Sequence, residues 1–232
     1  MRVGVIQSNY IPWRGYFDFI DDVDLFIFYD DVQYTKGTWR NRNRIKSANG
    51  LQWITVPVKH DRLAKRIDET RIDASRKWQV KHLKSMRASY GRAPHLAPYL
   101  DQYAEIIHAG HEILSDLNVA LCKWIMGALG IKTTVRMSRE YKLSGTKTER
   151  LIDLLTQVGA SRYLSGPAGR AYLDGDLFRA HGITLEYKSY DYAPYPQLWG
   201  EFDGAVTVLD LLFHTGPEAR NHLKSSSPNR EA

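Results

Sequence analysis

Two short apolar runs, each followed by a cluster of polar side chains, constrain this fold more than any other feature of the chain. Residues 3–7 and 24–29 are almost continuously apolar, which is typical of strands buried on both faces. Apolar residues recur at helical spacing between them, predicting a helix over 13–22. Such a short strand–helix–strand unit predicts two parallel strands joined by a right-handed crossover.

The rest of the chain continues to alternate between strands and helices. Further strands are expected in WITVPV (53–58), IKTTVR (131–136), SRYLSGP and ITLEYKSY. A helix follows each of the last three, and the final one is an apolar helix at about 205–214. Helical periodicity dominates residues 76–130. We therefore predict an α/β fold with a mainly parallel, Rossmann-like sheet and an inserted or appended helical lobe over about 76–130.

Three segments are expected to lack regular structure. Residues 30–50 predict a loop that ends in a turn at SANG, residues 47–50. Residues 60–75 are charged and poorly periodic, which predicts a mobile or irregular surface loop. The 232-residue length suits a single domain over 1–223, followed by a polar tail over 224–232 that we expect to be disordered.

Polar side chains follow both opening strands, at the position where open α/β sheets bind ligands. Gln7 has no routine local role and can bind a hydroxyl or an amide, whereas Asn9 also fits a bond to the turn backbone. Trp13 comes next and fits either the core or the site. The predicted cluster consists of Gln7, Asn9, Tyr10, Trp13, Asp30, Asp31 and Gln33.

Asp30 and Asp31 directly follow the second strand, and adjacent strand residues point to opposite faces. We therefore expect one carboxylate to line the site and the other to cap the chain or pair with an arginine. Paired carboxylates are suited to acid–base work or to holding Mg²⁺ with a phosphate ligand. A structural ion pair at the start of a loop is the alternative.

A basic and aromatic run, which contains Trp39, Arg40, Asn41, Arg42 and Lys46, is the most informative group. Arginine binds phosphate or carboxylate as a bidentate fork, and asparagine recognises amides and hydroxyls. The formal net charge of +6 also favours an anionic partner. A solvated basic loop and a single-stranded nucleic-acid surface remain the alternatives.

Two later segments add candidate ligand-binding residues. Thr146 and Glu149 fit a capping box, but the cations of the same helical turn oppose the helix dipole unless an anion binds there. Gly166 follows a strand and would let the backbone approach a ligand, although a tight turn explains it equally well. The candidates are Lys147, Thr148, Arg150, Ser165, Gly166, Tyr172 and Gln197.

Several function classes are disfavoured. Cys122 lies in an apolar helical stripe, so we expect a core residue and not a nucleophile. The eight histidines form no HxxxH or HExxH pattern, so no metal site is predicted. Walker A and GxSxG spacings are absent. With one cysteine, no signal peptide and no transmembrane run, we expect a cytoplasmic protein without membrane insertion.

Five segments closely resemble the WbqC-like protein family: QSNYIPWRGYF, YDDVQYTKGTWRNRNRIK, GTKTERLIDLL, YLSGPAGRAYLD and YPQLWGEF. The resemblance extends to about residue 216. Some family members have His and Pro where this chain has Ile6 and Ser8, so no essential base is expected there. The resemblance implies a role in O-antigen or surface-polysaccharide biosynthesis, with aminoacyl (glycine) transfer to a sugar.

The function expected first is acyl or aminoacyl transfer to the amine of an amino sugar. The donor would be an adenylate or a phosphopantetheine thioester on a carrier protein. Gln7, Asn41 and backbone N–H groups would stabilise the oxyanion, and Asp30 or Asp31 would accept the proton. Arg40, Arg42, Lys147 and Arg150 would bind phosphates. The alternatives are a nucleotidyl-transfer enzyme using ATP and Mg²⁺, and an RNA-binding protein such as a tRNA binder. RNA binding is disfavoured because no RNA-binding module is recognisable. Oligomeric state stays open.

Overall fold

The computed structural model describes residues 1–59 and 65–232, which contain eight strands and seven α-helices. The strands are β1 (Arg2–Ile6), β2 (Leu25–Phe28), β3 (Arg42–Ser47), β4 (Gly50–Thr55), β5 (Thr134–Met137), β6 (Arg162–Ser165), β7 (Thr184–Tyr187) and β8 (Arg230–Glu231). The helices are α1 (Arg14–Asp21), α2 (Trp78–Tyr90), α3 (Leu96–His108), α4 (Leu114–Ala128), α5 (Lys147–Gln157), α6 (Gly175–Ala180) and α7 (Val208–Thr215).

Six strands form the main sheet, in the order β5-β2-β1-β6-β7-β8. All neighbouring pairs run parallel except β7 and β8. The chain leaves β1 toward β2 on one side, while β6 and β7 lie on the other side. The strand order therefore reverses between β1 and β6, and a ligand crevice is expected at the carboxyl ends of these two strands.

Both faces of the sheet are covered, which explains the continuously apolar strands. Phe26 and Phe28 of β2 point into a core shared with α1, the three helices α2 to α4, and α7. Leu25 and Ile27 point into the opposite core, which α5 and α6 cover. The predicted α/β fold is confirmed, and the helices over 76–130 cover one sheet face instead of forming a core of their own.

The basic and aromatic run enters the first strand of a β-hairpin at Arg42, so the prediction of a loop over 30–50 is wrong over β3. β3 and β4 pair antiparallel in a separate two-stranded sheet, and the predicted strand 53–58 contributes only its first residues to β4. The predicted turn lies at Ser47–Gly50. The pattern is hard to recognise because a polar residue occupies a buried position: Asn43 donates from Nδ2 to the Tyr10 and Ile11 carbonyls, at 3.1 and 2.8 Å.

The predicted mobile loop over 60–75 falls partly on residues 60–64, which lie outside the described residues. Its remainder is not a loose surface segment. Backbone bonds tie Ile67 to Val32 and Ile72 to Glu112, at 2.9 and 2.8 Å. Because Ile67 is buried and a 3₁₀ turn runs through Ile67–Glu69, this segment packs the core beside the end of β2.

The predicted disordered tail over 224–232 instead closes the far edge of the sheet. Tyr187 of β7 pairs with Arg230 of β8. Lys224 contacts Asp22 at 2.6 Å, and the Asn229 side chain also donates to Asp22 at 3.1 Å. Ionic partners on the end of α1 thus order a segment whose composition alone is typical of disorder.

Candidate functional site

The carboxyl ends of β1 and β2 are tied together by a buried carboxylate. Asp30 accepts a hydrogen bond of 2.7 Å from the Ser8 backbone N–H and another from the Ser115 hydroxyl of α4. Its side chain is 1% exposed, and this burial raises its pKa despite the two bonds. Asp30 therefore fixes the two strand ends relative to one another and cannot contact a bound molecule directly.

Arg40 lies across the end of β1. Its guanidinium donates to the side-chain carbonyl oxygen of Gln7 at 3.0 Å and to that of Asn9. The Arg40 carbonyl accepts from Asn118 of α4 at 2.8 Å, which fixes the backbone. Burial lowers the pKa of Arg40, partly offset by the field of Asp30. No carboxylate in the described part of the chain forms an ion pair with it, so the site holds a positioned, partly desolvated cation.

An apolar cavity of about 320 Å³, which we call the aromatic cavity, is lined by Asn9, the side chain to which Arg40 donates. Trp13 and Trp39 supply its aromatic surface, and Asn9 brings the Arg40 cluster to its wall. Trp13 packs edge-on against Tyr190 at 5.1 Å between ring centres, and Trp39 lies against Trp53 at 5.2 Å. The remaining lining residues are Pro12, Asn43, Arg44, Gly204 and Ala205.

Asp31 points away from Asp30, as adjacent residues of an extended chain do. It forms an ion pair with Arg150 of α5 at 2.5 Å and accepts from the Ser138 hydroxyl at 2.5 Å. Arg150 also contacts the Tyr29 ring, with its guanidinium 5.0 Å from the ring centre. Burial lowers the pKa of Arg150, but the bond to Asp31 outweighs it and the net shift is upward.

The other predicted residues of that helical turn are free of these contacts. Lys147 is exposed with a positive φ of 48°, Thr148 is half-buried, and Thr146 makes no side-chain cap. The predicted capping box is therefore absent. The expected pairing of one aspartate with an arginine is present, and Asp31 is that aspartate.

The middle of the basic run faces a second, polar cavity of about 490 Å³, which we call the basic cleft. Asn41 and Arg42 line it, together with Tyr34 and the first turn of α2. Its cations are Lys36, Arg42, Lys59, Arg76 and Lys81. Arg40 and Arg42 are only two residues apart, yet Arg40 contacts Gln7 and Asn9 whereas Arg42 lines the basic cleft.

Three predicted binding residues are used for structure. Tyr10 is fully buried, and its hydroxyl contacts His82 at 2.8 Å and also Tyr103, so it cannot touch a ligand. Lys46 is buried and donates to Gln197 at 2.7 Å. Gln197 in turn donates to Asp210 at 2.8 Å. These contacts close the core behind the hairpin, which short-range sequence patterns do not reveal.

The remaining candidates lie at the outer parts of the strand edge. Ser165 is buried at the end of β6, and Gly166 extends that end beside β1 with open space around it. Tyr172 is 69% exposed. Gln33 is exposed and pairs through its backbone with Arg66. None of these four has a recorded contact with Arg40 or the aromatic cavity.

Cys122 is a core residue as predicted, and burial raises the pKa of its thiol, so it is unsuited to nucleophilic attack. Within residues 1–59 and 65–232, no group of three His, Cys, Asp or Glu side chains is arranged to hold a metal ion. None of the helices in the described ranges combines the length and apolarity that crossing a bilayer requires.

Sequence reasoning missed residues that reach the site from distant segments. Arg44 shares a hairpin face with Arg42, and recognising the strand would have revealed it. Ser115 and Asn118 come from α4, about 85 residues beyond Asp30 in the chain, and carry no local signal. The same holds for Trp78 in the basic cleft, which looks like an ordinary core aromatic.

Comparisons with known proteins match nearly the whole chain. A family model, described as the WbqC-like protein family, matches residues 7–222. The chain is also similar to the uncharacterized protein Rv1507c of Mycobacterium tuberculosis, at 48% identity over 226 residues, covering 96% of this chain and 97% of that protein. No solved structure matches the chain. Both cavities lie within the family-matched residues.

Proposed function

This chain belongs to the WbqC-like protein family, and from that premise we propose that it is an acyl- or aminoacyl-transferase. It would join a glycine-type acyl group to the amine of an amino sugar or a related small molecule in surface-polysaccharide (O-antigen) biosynthesis. The donor would be an adenylate or a carrier-bound thioester. The observation that carries this proposal is Arg40, a positioned cation beside an apolar cavity.

Acyl transfer to an amine passes through a tetrahedral intermediate in which the carbonyl oxygen becomes negative. A positioned donor in a water-poor site stabilises that charge by about 2.7–4 kcal/mol. Arg40 meets this description because Gln7 and Asn9 fix its guanidinium and burial removes part of its hydration. Both amides accept from the arginine, so their own N–H groups are available to orient a hydroxyl or carbonyl.

The aromatic cavity suits the organic part of a substrate. Small-molecule sites are mostly apolar with a few placed polar groups, and volumes of roughly 300 Å³ are sufficient. Trp13 and Trp39 provide the flat surfaces against which sugar rings pack, and Asn9 places the reacting bond next to Arg40.

Loss of the amine proton requires an acceptor, and the two aspartates differ in access. Asp30 is sealed by Ser8 and Ser115, so we assign it to positioning the strand ends. The Asp31 side chain is 8% exposed, but it points away from Asp30 into an ion pair with Arg150, so neither aspartate lines the aromatic cavity and the proton passes to water. Asn41 faces the basic cleft and is not part of this step.

The direct test is product formation. The purified protein would be incubated with glycyl-adenylate or glycyl-phosphopantetheine and a panel of amino sugars and nucleotide-linked amino sugars, and amide products would be detected by mass spectrometry. The proposal predicts an enzyme-dependent amide with at least one pair. Consumption of ATP with Mg²⁺ and transfer of a nucleotidyl group, without any amide, would support the nucleotidyl-transfer alternative and contradict acyl transfer.

One observation favours a second function, single-stranded nucleic-acid binding. Arg42 and Arg44 lie over Trp53 at 4.2 and 5.6 Å, and Arg44 also lies 5.6 Å from the Trp39 ring centre. Trp39 and Trp53 are exposed, and such cation–aromatic ladders stack bases. RNA affinity that falls steeply and linearly in log–log form with salt would support this function.

A further inference from the structure

The basic cleft is lined by several cations that no lining carboxylate neutralises. Of its five cations, Arg76 is paired with the one lining carboxylate, Asp73, at 3.3 Å, which leaves four. No carboxylate within residues 1–59 and 65–232 forms an ion pair with those four, which are Lys36, Arg42, Lys59 and Lys81. Four positive charges around one cavity favour an anionic ligand there.

Buried polar atoms without partners surround the same cavity. Asn41 is 5% exposed and Trp78 is 3% exposed, yet the Asn41 Oδ1 and the Trp78 Nε1 have no hydrogen-bond partner in the described part of the chain. The Tyr34 hydroxyl and the Arg42 Nε are unpartnered as well. Each unsatisfied buried group costs about 1–3 kcal/mol, and folded proteins contain few of them. Eleven buried side-chain atoms in the described residues lack a hydrogen-bond partner, and four of them belong to residues that line this one cavity, which favours a ligand that satisfies them.

The backbone adds a third feature. The 13-residue helix α2 begins at Trp78 on the cleft wall, and no side chain caps its first turn. Free N–H groups at a helix N-terminus bind anions, and phosphate in particular. Lys77 just before it adopts the left-handed conformation with φ of 43°, which marks a sharp entry into the helix at this wall.

From these features we infer that the basic cleft binds a small organic diphosphate, of the nucleoside diphosphate kind. The phosphates occupy the region of Arg42, Lys81 and the α2 N-terminus. The hydroxyl or amide groups of the organic part meet the Asn41 acceptor and the Trp78 donor. A volume of about 490 Å³ accommodates such a molecule. This inference goes beyond the transfer reaction, because it concerns binding alone and is measured without turnover.

The test is calorimetric titration of the full chain with inorganic diphosphate, uridine diphosphate and uridine, at about 0.15 M salt. Both diphosphate probes are expected to bind, the nucleotide more tightly, and uridine is not. Arg42→Met should raise the Kd of both at least tenfold. Lys84→Met is the matched control, because Lys84 is an exposed cation on the same helix, outside the cleft lining, and it should change Kd less than twofold.

Trp78→Phe separates the two parts of the ligand, since it removes the indole donor and keeps an aromatic ring. It should weaken uridine diphosphate severalfold and leave inorganic diphosphate unchanged. If Arg42→Met does not fold, Lys81→Met at an exposed position replaces it with the same expectation. The inference is overturned if neither diphosphate binds at millimolar concentration, or if Lys84→Met matches the Arg42→Met loss. It is also overturned if only single-stranded RNA binds and Arg42→Met abolishes that binding.

Discussion

The aromatic cavity and the basic cleft share one segment of chain and differ in almost everything else. Residues 39–44 contribute to both: Trp39, Asn43 and Arg44 line the aromatic cavity, whereas Asn41 and Arg42 line the basic cleft. The first is mostly apolar and adjoins one positioned arginine. The second contains five cations around unsatisfied polar atoms.

This difference shows how one short basic run lines two different surfaces. Arg40 and Asn41 lie in the turn before β3, and the strand begins only at Arg42, so the two arginines do not share a strand face and the run reaches two surfaces. Arg40 turns back to the β1 end, where a developing charge would be stabilised. Arg42 turns to the cleft, where a ligand's fixed charge would be held. From composition alone, all of these residues would be assigned to a single basic loop.

Replacing Arg40 should produce the largest separation between the two sites. Arg40→Met removes the only cation bonded to Gln7 and Asn9 in the described residues, so we expect the amide-forming rate to fall by about 100- to 1000-fold. Affinity for diphosphate should stay within twofold of wild type, as measured by titration. Arg92→Met, which removes an arginine stacked on Trp199 elsewhere, is the control.

If Arg40→Met loses as much diphosphate affinity as Arg42→Met, the two cavities form one binding site. If Arg40→Met forms amide at the wild-type rate, Arg40 does not stabilise the oxyanion.

Acid should destabilise the buried contacts between α2 and Tyr10. His82 follows Trp78 by one turn of α2 and contacts Tyr10, which follows Asn9. Burial lowers the pKa of His82 to about 4, from an ordinary value of 6.5. Between pH 6.5 and 4, His82 binds a proton in the unfolded chain but stays neutral in the folded protein. The free energy of unfolding therefore falls by about 3 kcal/mol as the pH falls from about 6.5 to about 4.

Urea unfolding of wild type and His82→Gln at several pH values measures this term. The variant keeps a hydrogen-bonding side chain and cannot titrate, so the difference between the two proteins isolates His82. The wild type should lose stability relative to the variant as the solution is acidified. A difference that is constant from pH 7 to pH 4 would show that His82 is not held neutral.

The smallest expected effect concerns the aromatic wall. Trp39→Ala removes one exposed ring from the aromatic cavity, and a stacking contact of about 1–1.5 kcal/mol corresponds to a KM rise of roughly tenfold. Diphosphate affinity should not change. Leu51→Ala, at an exposed apolar position on the same hairpin, is the control. An equal KM rise in both variants would indicate a general effect on the hairpin.

Much of the fold follows from patterns that the sequence displays locally. The apolar strands and helical stripes predict the parallel sheet and its covering helices, and the polar ends of β1 and β2 locate the crevice. The hairpin was missed because buried Asn43 breaks the alternation and is satisfied only by the carbonyls of Tyr10 and Ile11. The tail was missed because its order depends on Asp22, which is distant in the chain.

The sequence predicted which residues would lie close together better than it predicted what each of them would contact. Five residues from the predicted polar and aromatic segments do lie close together in the structure. They are Gln7, Asn9, Trp13, Trp39 and Arg40. The burial of Asp30 could not be predicted, because it depends on Ser115 of the distant helix α4, whose hydroxyl donates to the Asp30 carboxylate. The buried state of Tyr10 likewise depends on His82 and Tyr103, whose approach only tertiary packing determines.

The central claim is that Arg40 and Arg42 serve separate sites, Arg40 the transfer chemistry and Arg42 the phosphates of a bound ligand. Its most direct test is to measure kcat and KM of Arg40→Met and Arg42→Met side by side, with a nucleotide-linked amino sugar as acceptor. We predict that Arg40→Met lowers kcat at nearly constant KM, and that Arg42→Met raises KM at nearly constant kcat. The same parameter changing to the same degree in both variants would contradict the claim.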